Sequence, residues 1–112
     1  MHKIMFEVYV KGVPSEVECL NRLHEYLESL SRCFGSSTTY ACVYKDILIK
    51  VVPKVEEAQK RSTTLTHIFE PLQQVLSIVI TLEGESVSNL AEISELIYGF
   101  AKNCGLMLKL IG

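Results

Sequence analysis

"TTYACVYKDILIKVV", residues 38–52, admits two readings. It is dense in β-branched and aromatic residues, which suit a pleated, half-buried surface. One charged pair, Lys45-Asp46, interrupts it near the middle. One reading is a single long bent strand. Read as two strands joined by a tight turn, the segment is a hairpin, and a sheet of sequence neighbours follows. Tight hairpins favour Asn-Gly or Asp-Gly at the turn, and Lys-Asp is a weaker form of that signal. We read two strands, closed by Pro53, which cannot donate to a ladder.

Upstream, "KIMFEVYV" (3–10) places Ile4, Phe6, Val8 and Val10 on one side and Met5, Glu7 and Tyr9 on the other, the period of a half-buried strand. Gly12 and Pro14 break it. Ser15 and Glu18 have capping-box spacing, and Leu20, Leu23, Leu27, Leu30 and Phe34 recur at helical spacing, with Val17 extending the stripe. This predicts a first helix running to Gly35, with Arg32 where the helix dipole favours a cation. Downstream, 54–71 fits a second helix with a broken middle, since "RSTT" (61–64) offers hydroxyls that compete for backbone hydrogen bonds. "VLSIVITLEG" (75–84) is apolar enough for a central strand buried on both faces. Ser86 or Ser88 caps a third helix carrying Leu90, Ile93, Ile97 and Cys104, widened by Leu96, Phe100 and Ala101 and ended by Gly105. "LMLKLI" (106–111) is a last strand.

These elements predict one α+β domain over residues 1–112, a two-layer sandwich with a ferredoxin-like βαββαβ core and an additional αβ, about five strands and three helices. The outline resembles ferredoxin-like and ACT-type regulatory domains. No Gly-Leu ligand turn follows the first strand, where an ACT domain carries one, and no family is identified. A faint repeat relates the two ends of the chain: a strand, a Ser-capped helix, then "RCFG" (32–35) or "KNCG" (102–105).

The chain has 112 residues, 48% of them hydrophobic and 21% charged, with a formal charge of −2. That is enough for a core without staples, and it shows no global pull toward nucleic acid or anionic membrane. No apolar run reaches the ~18 residues that span a bilayer, and "MHKIMFEVYVKG" is unlike a signal peptide. The expectation is a cytoplasmic protein with no membrane partner. Cys19, Cys33, Cys42 and Cys104 contain no C-x-x-C pair, are expected to be reduced there, and read as structural thiols at helix ends; their even number also permits two disulfides.

Catalytic and metal signatures are weak. His24 and Glu28 are half of a metal site at best, and Thr63, His67 and Glu70 lack the elbow that presents a nucleophile. Glu83 and Glu85 flank Gly84 at a strand end, where sheet folds often face a ligand, which leaves a small-molecule regulatory pocket as one alternative. No glycine-rich phosphate loop is present. No catalytic residue, metal ligand or cofactor is therefore expected. A second alternative is single-stranded nucleic-acid binding, with Tyr9, Tyr40 and Tyr44 as a stacking platform and Lys45, Lys60 and Arg61 as its basic rim, Phe6, Lys50 and Lys54 lying close in sequence. The leading expectation is a non-catalytic interaction module, a homo-oligomer or a binder of a protein partner. It would act through an apolar edge strand carrying Ile47, Ile49, Lys50 and Val51.

Overall fold

The computed structural model describes residues 1–9, 14–36, 39–54 and 77–111. The expected helix over 54–71 lies outside them apart from Lys54. In chain order the elements are β1 (His2–Tyr9), α1 (Pro14–Asn21), α2 (Leu23–Leu30), β2 (Arg32–Gly35), β3 (Tyr40–Tyr44), β4 (Ile47–Lys54), β5 (Ser77–Gly84), α3 (Val87–Asn103) and β6 (Met107–Leu110).

The hairpin forms as read. Tyr44 pairs with Ile47 across Lys45-Asp46, and the register continues to Tyr40 opposite Val51. Lys45 takes the positive φ that the turn demands, 54°. An L-residue in that conformation costs roughly 1–2 kcal/mol, and contacts of this turn to α3, described below, oppose that cost.

The helix that should have run to Gly35 stops at Leu30. Ser31 is extended, with φ −151° and ψ 179°, and its N–H still donates to Leu27. Arg32–Gly35 then pairs with Tyr40–Val43 as a strand. Leu30 and Phe34 are four apart, which satisfies a helix, but Arg32, Cys33 and Phe34 also alternate. Pairing with β3 is the tertiary term that wins. α1 and α2 form one bent helix with its joint at Arg22, whose N–H donates to both Glu18 and Cys19 carbonyls.

The six strands make one sheet in the order β2-β3-β4-β5-β1-β6. Every neighbouring pair is antiparallel. The ferredoxin-like βαββαβ core with an added αβ, five strands and three helices, is corrected by this order. Only β5–α3–β6 keeps a split strand–helix–strand unit, its two strands parallel across the intervening β1. The bent helix instead carries the chain from β1 to the far edge, where β2 opens a meander that runs back through β3 and β4 to β5.

The helices cover one face. Leu27, Ile93 and Ile97 from them meet Ile47, Ile49, Ile80, Leu82, Val8 and Val51 from the strands, all essentially inaccessible to solvent. Complete burial of such a side chain contributes roughly 1.5–3 kcal/mol. β5 is central as expected, but helices bury only its Ile78, Ile80 and Leu82 side; Val79, Thr81 and Glu83 are half-buried on the other. Gly84 is tightly enclosed: an added Cβ would collide with the Ile47 side chain and lie 2.9 Å from the Asp46 carbonyl. α3 is capped by Ser86, whose hydroxyl accepts from the Asn89 N–H. It closes on Gly105 with φ 73°, where the Leu106 N–H donates to Ala101 and the Gly105 N–H to Lys102, the paired bonds of a left-handed helix stop.

All four cysteines are paired, which corrects the expectation of reduced thiols. Cys19 on α1 bonds Cys104 at the end of α3, with Cα atoms 5.9 Å apart and 85 residues between them in sequence. Cys33 bonds Cys42 directly across β2 and β3, Cα atoms 4.0 Å apart and nine residues apart in sequence. "RCFG" and "KNCG" are therefore different objects, a strand and a helix end. No helix among the described residues is long and apolar enough to cross a membrane; a cytoplasmic location finds no support in that or in the paired cysteines.

The loop-closure model assigns about 4–5 kcal/mol to the longer bridge and about 3 kcal/mol to the shorter. Denatured but unreduced protein should thus titrate no free thiol. Chemical unfolding should show Cys19→Ala with Cys104→Ala losing more stability than Cys33→Ala with Cys42→Ala. Four titratable thiols in the wild-type chain would contradict both pairings.

Candidate interaction face

Alternation along the strands divides the sheet into two faces of different chemistry. The face away from the helices is built in cross-strand rows. Arg32, Val43, Leu48, Glu83 and Lys3 form the first, and Phe34, Ala41, Lys50, Thr81 and Met5 the second. Val52, Val79, Glu7 and Lys109 form the third, and Lys54, Ser77, Tyr9 and Met107 the last. Phe34, Val43, Val52 and Met107 are 57%, 41%, 47% and 41% exposed. Scattered single apolar residues are normal on a surface. Here they share one face with half-buried Met5, Tyr9, Leu48 and Val79, and no described element packs over them.

This open face is basic. It carries Lys3, Arg32, Lys50, Lys54 and Lys109 against two carboxylates, Glu7 and Glu83. Lys50 approaches Glu83 at 3.6 Å and Lys54 approaches Glu7 at 3.2 Å. The helical layer with its adjoining turns is acidic: Glu18, Glu25, Glu28, Asp46, Glu85, Glu92 and Glu95 stand against Arg22, Lys45 and Lys102. The small net charge of the chain conceals two oppositely charged sides.

The edge anticipated at Ile47, Ile49, Lys50 and Val51 is not an edge. β4 is paired on both sides, and Ile47, Ile49 and Val51 are core residues; only Lys50 reaches the open face. Among the described residues the edges are β2 and β6. The tyrosine platform is likewise not assembled. Tyr9 lies on the open face, but Tyr40 and Tyr44 share parity with Ile47 and Ile49 and point to the helices. Tyr40 is buried with its ring 4.1 Å from His24; burial, and then the charge of Glu28, push its phenol well above the ordinary tyrosine value. Phe6 is in the core. Lys60, His67, Glu70 and the whole of "RSTT" (61–64), Arg61 and Thr63 included, fall outside the described residues. His24 and Glu28 approach to 3.6 Å as a helical pair, and the described residues hold no group of three metal-ligating side chains. Beside the anticipated pocket, Gly84 itself has no room for a side chain, its Cα being enclosed by Ile47 and the Asp46 carbonyl.

Two features escaped the sequence. Between the bent helix and α3 runs a groove of about 700 Å³. One part of its lining is the stacked pair Tyr26 and Phe100, ring centres 4.8 Å apart. Glu25, Glu95 and Arg22 line it, the Cys19–Cys104 bridge borders it, and Gly99 leaves open space where a side chain would stand. Such a site needs two helices distant in sequence to lie side by side, which no local pattern reports.

The second feature is a polar anchor at the start of α3. Asp46 accepts from the Ser86 N–H at 2.9 Å and from the Asn89 amide at 2.7 Å. The Tyr44 hydroxyl and the Lys45 ammonium both donate to one Glu92 oxygen at 2.7 Å. The Asn89 amide first, with the Ser86 N–H, holds the Asp46 carboxyl below its ordinary value, and the Lys45 ammonium first, then the Tyr44 hydroxyl, does the same for Glu92. The same oxygen raises both the Tyr44 phenol and the Lys45 ammonium. The anchor fixes the hairpin to the helix.

Neither family models, nor curated proteins, nor solved structures match this chain, so its own geometry carries the functional reading.

A carboxylate held below its ordinary value stabilises the fold above that value and ceases to do so as pH falls through the lowered one. The relevant ordinary values are 3.8 for Asp46 and 4.5 for Glu92. The wild-type melting temperature should therefore decline as pH drops below about 4.5. Asp46→Asn combined with Glu92→Gln should flatten that decline. Parallel acid profiles in the two proteins would show that the anchor is not charged in the way described.

Proposed function

We propose that this chain is a small non-catalytic domain that works by protein–protein association across the open face of its sheet, in the first instance with its own copies. The observation that carries this reading is the asymmetry of the sheet. One face is sealed by helices, and the other leaves Phe34, Val43, Val52 and Met107 exposed beside cations. An extended apolar face rimmed by polar residues marks an interaction surface rather than ordinary solvent-exposed structure. A second reading, single-stranded nucleic-acid binding, draws on Tyr9 and Phe34 sharing that face with five basic residues. It is the weaker one, because Lys50 and Lys54 are engaged by carboxylates and the two aromatics lie at opposite ends of the sheet.

Sedimentation velocity over a concentration series tests the reading. The wild-type chain should associate, whereas Val43→Ser combined with Val52→Ser should abolish association. Exposed positions away from the core change stability by only about 0.5 kcal/mol, so the two proteins should melt together. A wild-type monomer at every concentration contradicts the reading. So does a variant that unfolds, since the face would then belong to the core.

A further inference from the structure

The open face, if it is the association surface proposed above, needs an occupant, and the charge distribution of the molecule itself identifies one. Pairing two open faces would bring five cations against five, offset only by Glu7 and Glu83 on each side. Like charges juxtaposed in an interface disfavour that arrangement. The helical layer offers the opposite sign, with seven carboxylates against three cations among the described side chains. It also offers a concave receptor: the groove between the bent helix and α3, lined by the stacked Tyr26 and Phe100 and by Glu25 and Glu95, whose two carboxylates outnumber the one cation there, Arg22. An aromatic pair beside carboxylates suits a cation and an aromatic ring presented together. β2 presents that combination at the sheet edge, where Arg32 and Phe34 are exposed and project to the open face two residues apart.

We infer that the groove of one copy receives the Arg32–Phe34 edge of the next, so that basic sheet face and acidic helical layer meet head to tail. The contact is heterologous. The surfaces that meet are different patches of the chain, and each copy keeps one of them unused. Such contacts propagate instead of closing into a symmetric dimer, unless their rotation happens to complete a ring. Ionic strength governs the association, because the Debye length shrinks from about 30 Å at 0.01 M salt to about 8 Å at 0.15 M.

Two surface variants separate the halves of the contact. Arg32→Glu with Phe34→Ser disables the edge and leaves the groove intact. Glu25→Lys with Glu95→Lys disables the groove and leaves the edge intact. All four positions lie outside the buried core, and circular dichroism with a thermal melt verifies folding of both proteins. In sedimentation at about 0.02 M salt, where screening is weak, the wild-type mass should rise with concentration beyond a dimer, or to a ring of more than two copies, and fall at 0.15 M. Each variant alone should associate at least about tenfold more weakly. Mixed together, they should form a one-to-one complex that grows no further, since one supplies the only working groove and the other the only working edge.

A wild-type dimer that saturates, and that the edge variant breaks while the groove variant does not, would overturn head-to-tail docking and leave the open face as the interface. A wild-type monomer in all salts would overturn both. A single-stranded oligonucleotide probe that binds the groove variant but not the edge variant would assign the face to nucleic acid, against both.

Discussion

The backbone ladders on the two sides of β5 hold this protein together. On one side β5 pairs with β4 from Leu48 opposite Glu83 to Lys54 opposite Ser77. On the other it pairs with β1 from His2 opposite Gly84 to Tyr9 opposite Ser77. Without it the molecule is a β2–β3–β4 meander and a separate β1–β6 ribbon, and a two-stranded ribbon is marginal by itself in water. The strand's composition suits this position. Ile78, Ile80 and Leu82 drive one side under the helices, and Gly84 ends it where nothing larger than hydrogen fits against Ile47. The Cys19–Cys104 bridge then ties the bent helix to the end of α3, and both helices rest on the face that β5 organises.

Because the described helices form a single layer, no described element covers the other face of the six-stranded sheet. The covered face gains its stability from residues such as Leu27, Ile49 and Ile93. The uncovered face gains little from Phe34 or Val52, which remain largely in water. Apolar side chains held in solvent on a rigid pleated surface are therefore available for association at small cost to the fold. Charge follows the same division, basic on the sheet and acidic on the helices. Segregation of this kind gives each side of the molecule its own choice of partner, and it disfavours pairing of like with like.

Much of the architecture was legible locally. The first strand, the hairpin about Lys45-Asp46, the Ser86 cap and the Gly105 stop follow from patterns within a few residues, and each formed; the central position of β5 was legible in its apolar composition, although the pairings that create it are long-range. β2 was not legible: four residues are too few to show a period, and Leu30 to Phe34 also satisfies a helix. Strand order and disulfide partners depend on pairings across many residues, which spacing does not encode, and with the order wrong the ferredoxin-like outline was wrong too. Of the candidate site, alternation in the first strand set Tyr9 apart from the Phe6 and Val8 side, whereas Lys50 was grouped with Ile47, Ile49 and Val51, from which the register separates it. Tyr40 and Tyr44 could have been placed correctly as well. A two-residue turn forces Tyr44 opposite Ile47, and hence onto the apolar side with Cys42 and Ile49. The groove between α2 and α3 had no signal in the sequence, because its two walls lie some 70 residues apart, as the Tyr26 hydroxyl meeting the Leu96 carbonyl illustrates.

A nuclear Overhauser spectrum of the methyl-labelled wild-type protein gives the sharpest test of a sheet organised by β5 with the described helices on one face. The account predicts cross-strand contacts from Ile80 to both Phe6 and Val51. It also predicts methyl contacts from Ile80 and Leu82 toward α2 and α3, and none from Val52 or Val79 to either helix. Contacts from Ile80 to only one neighbouring strand, or from Val52 to the methyls of Leu27 or Ile93, would contradict it.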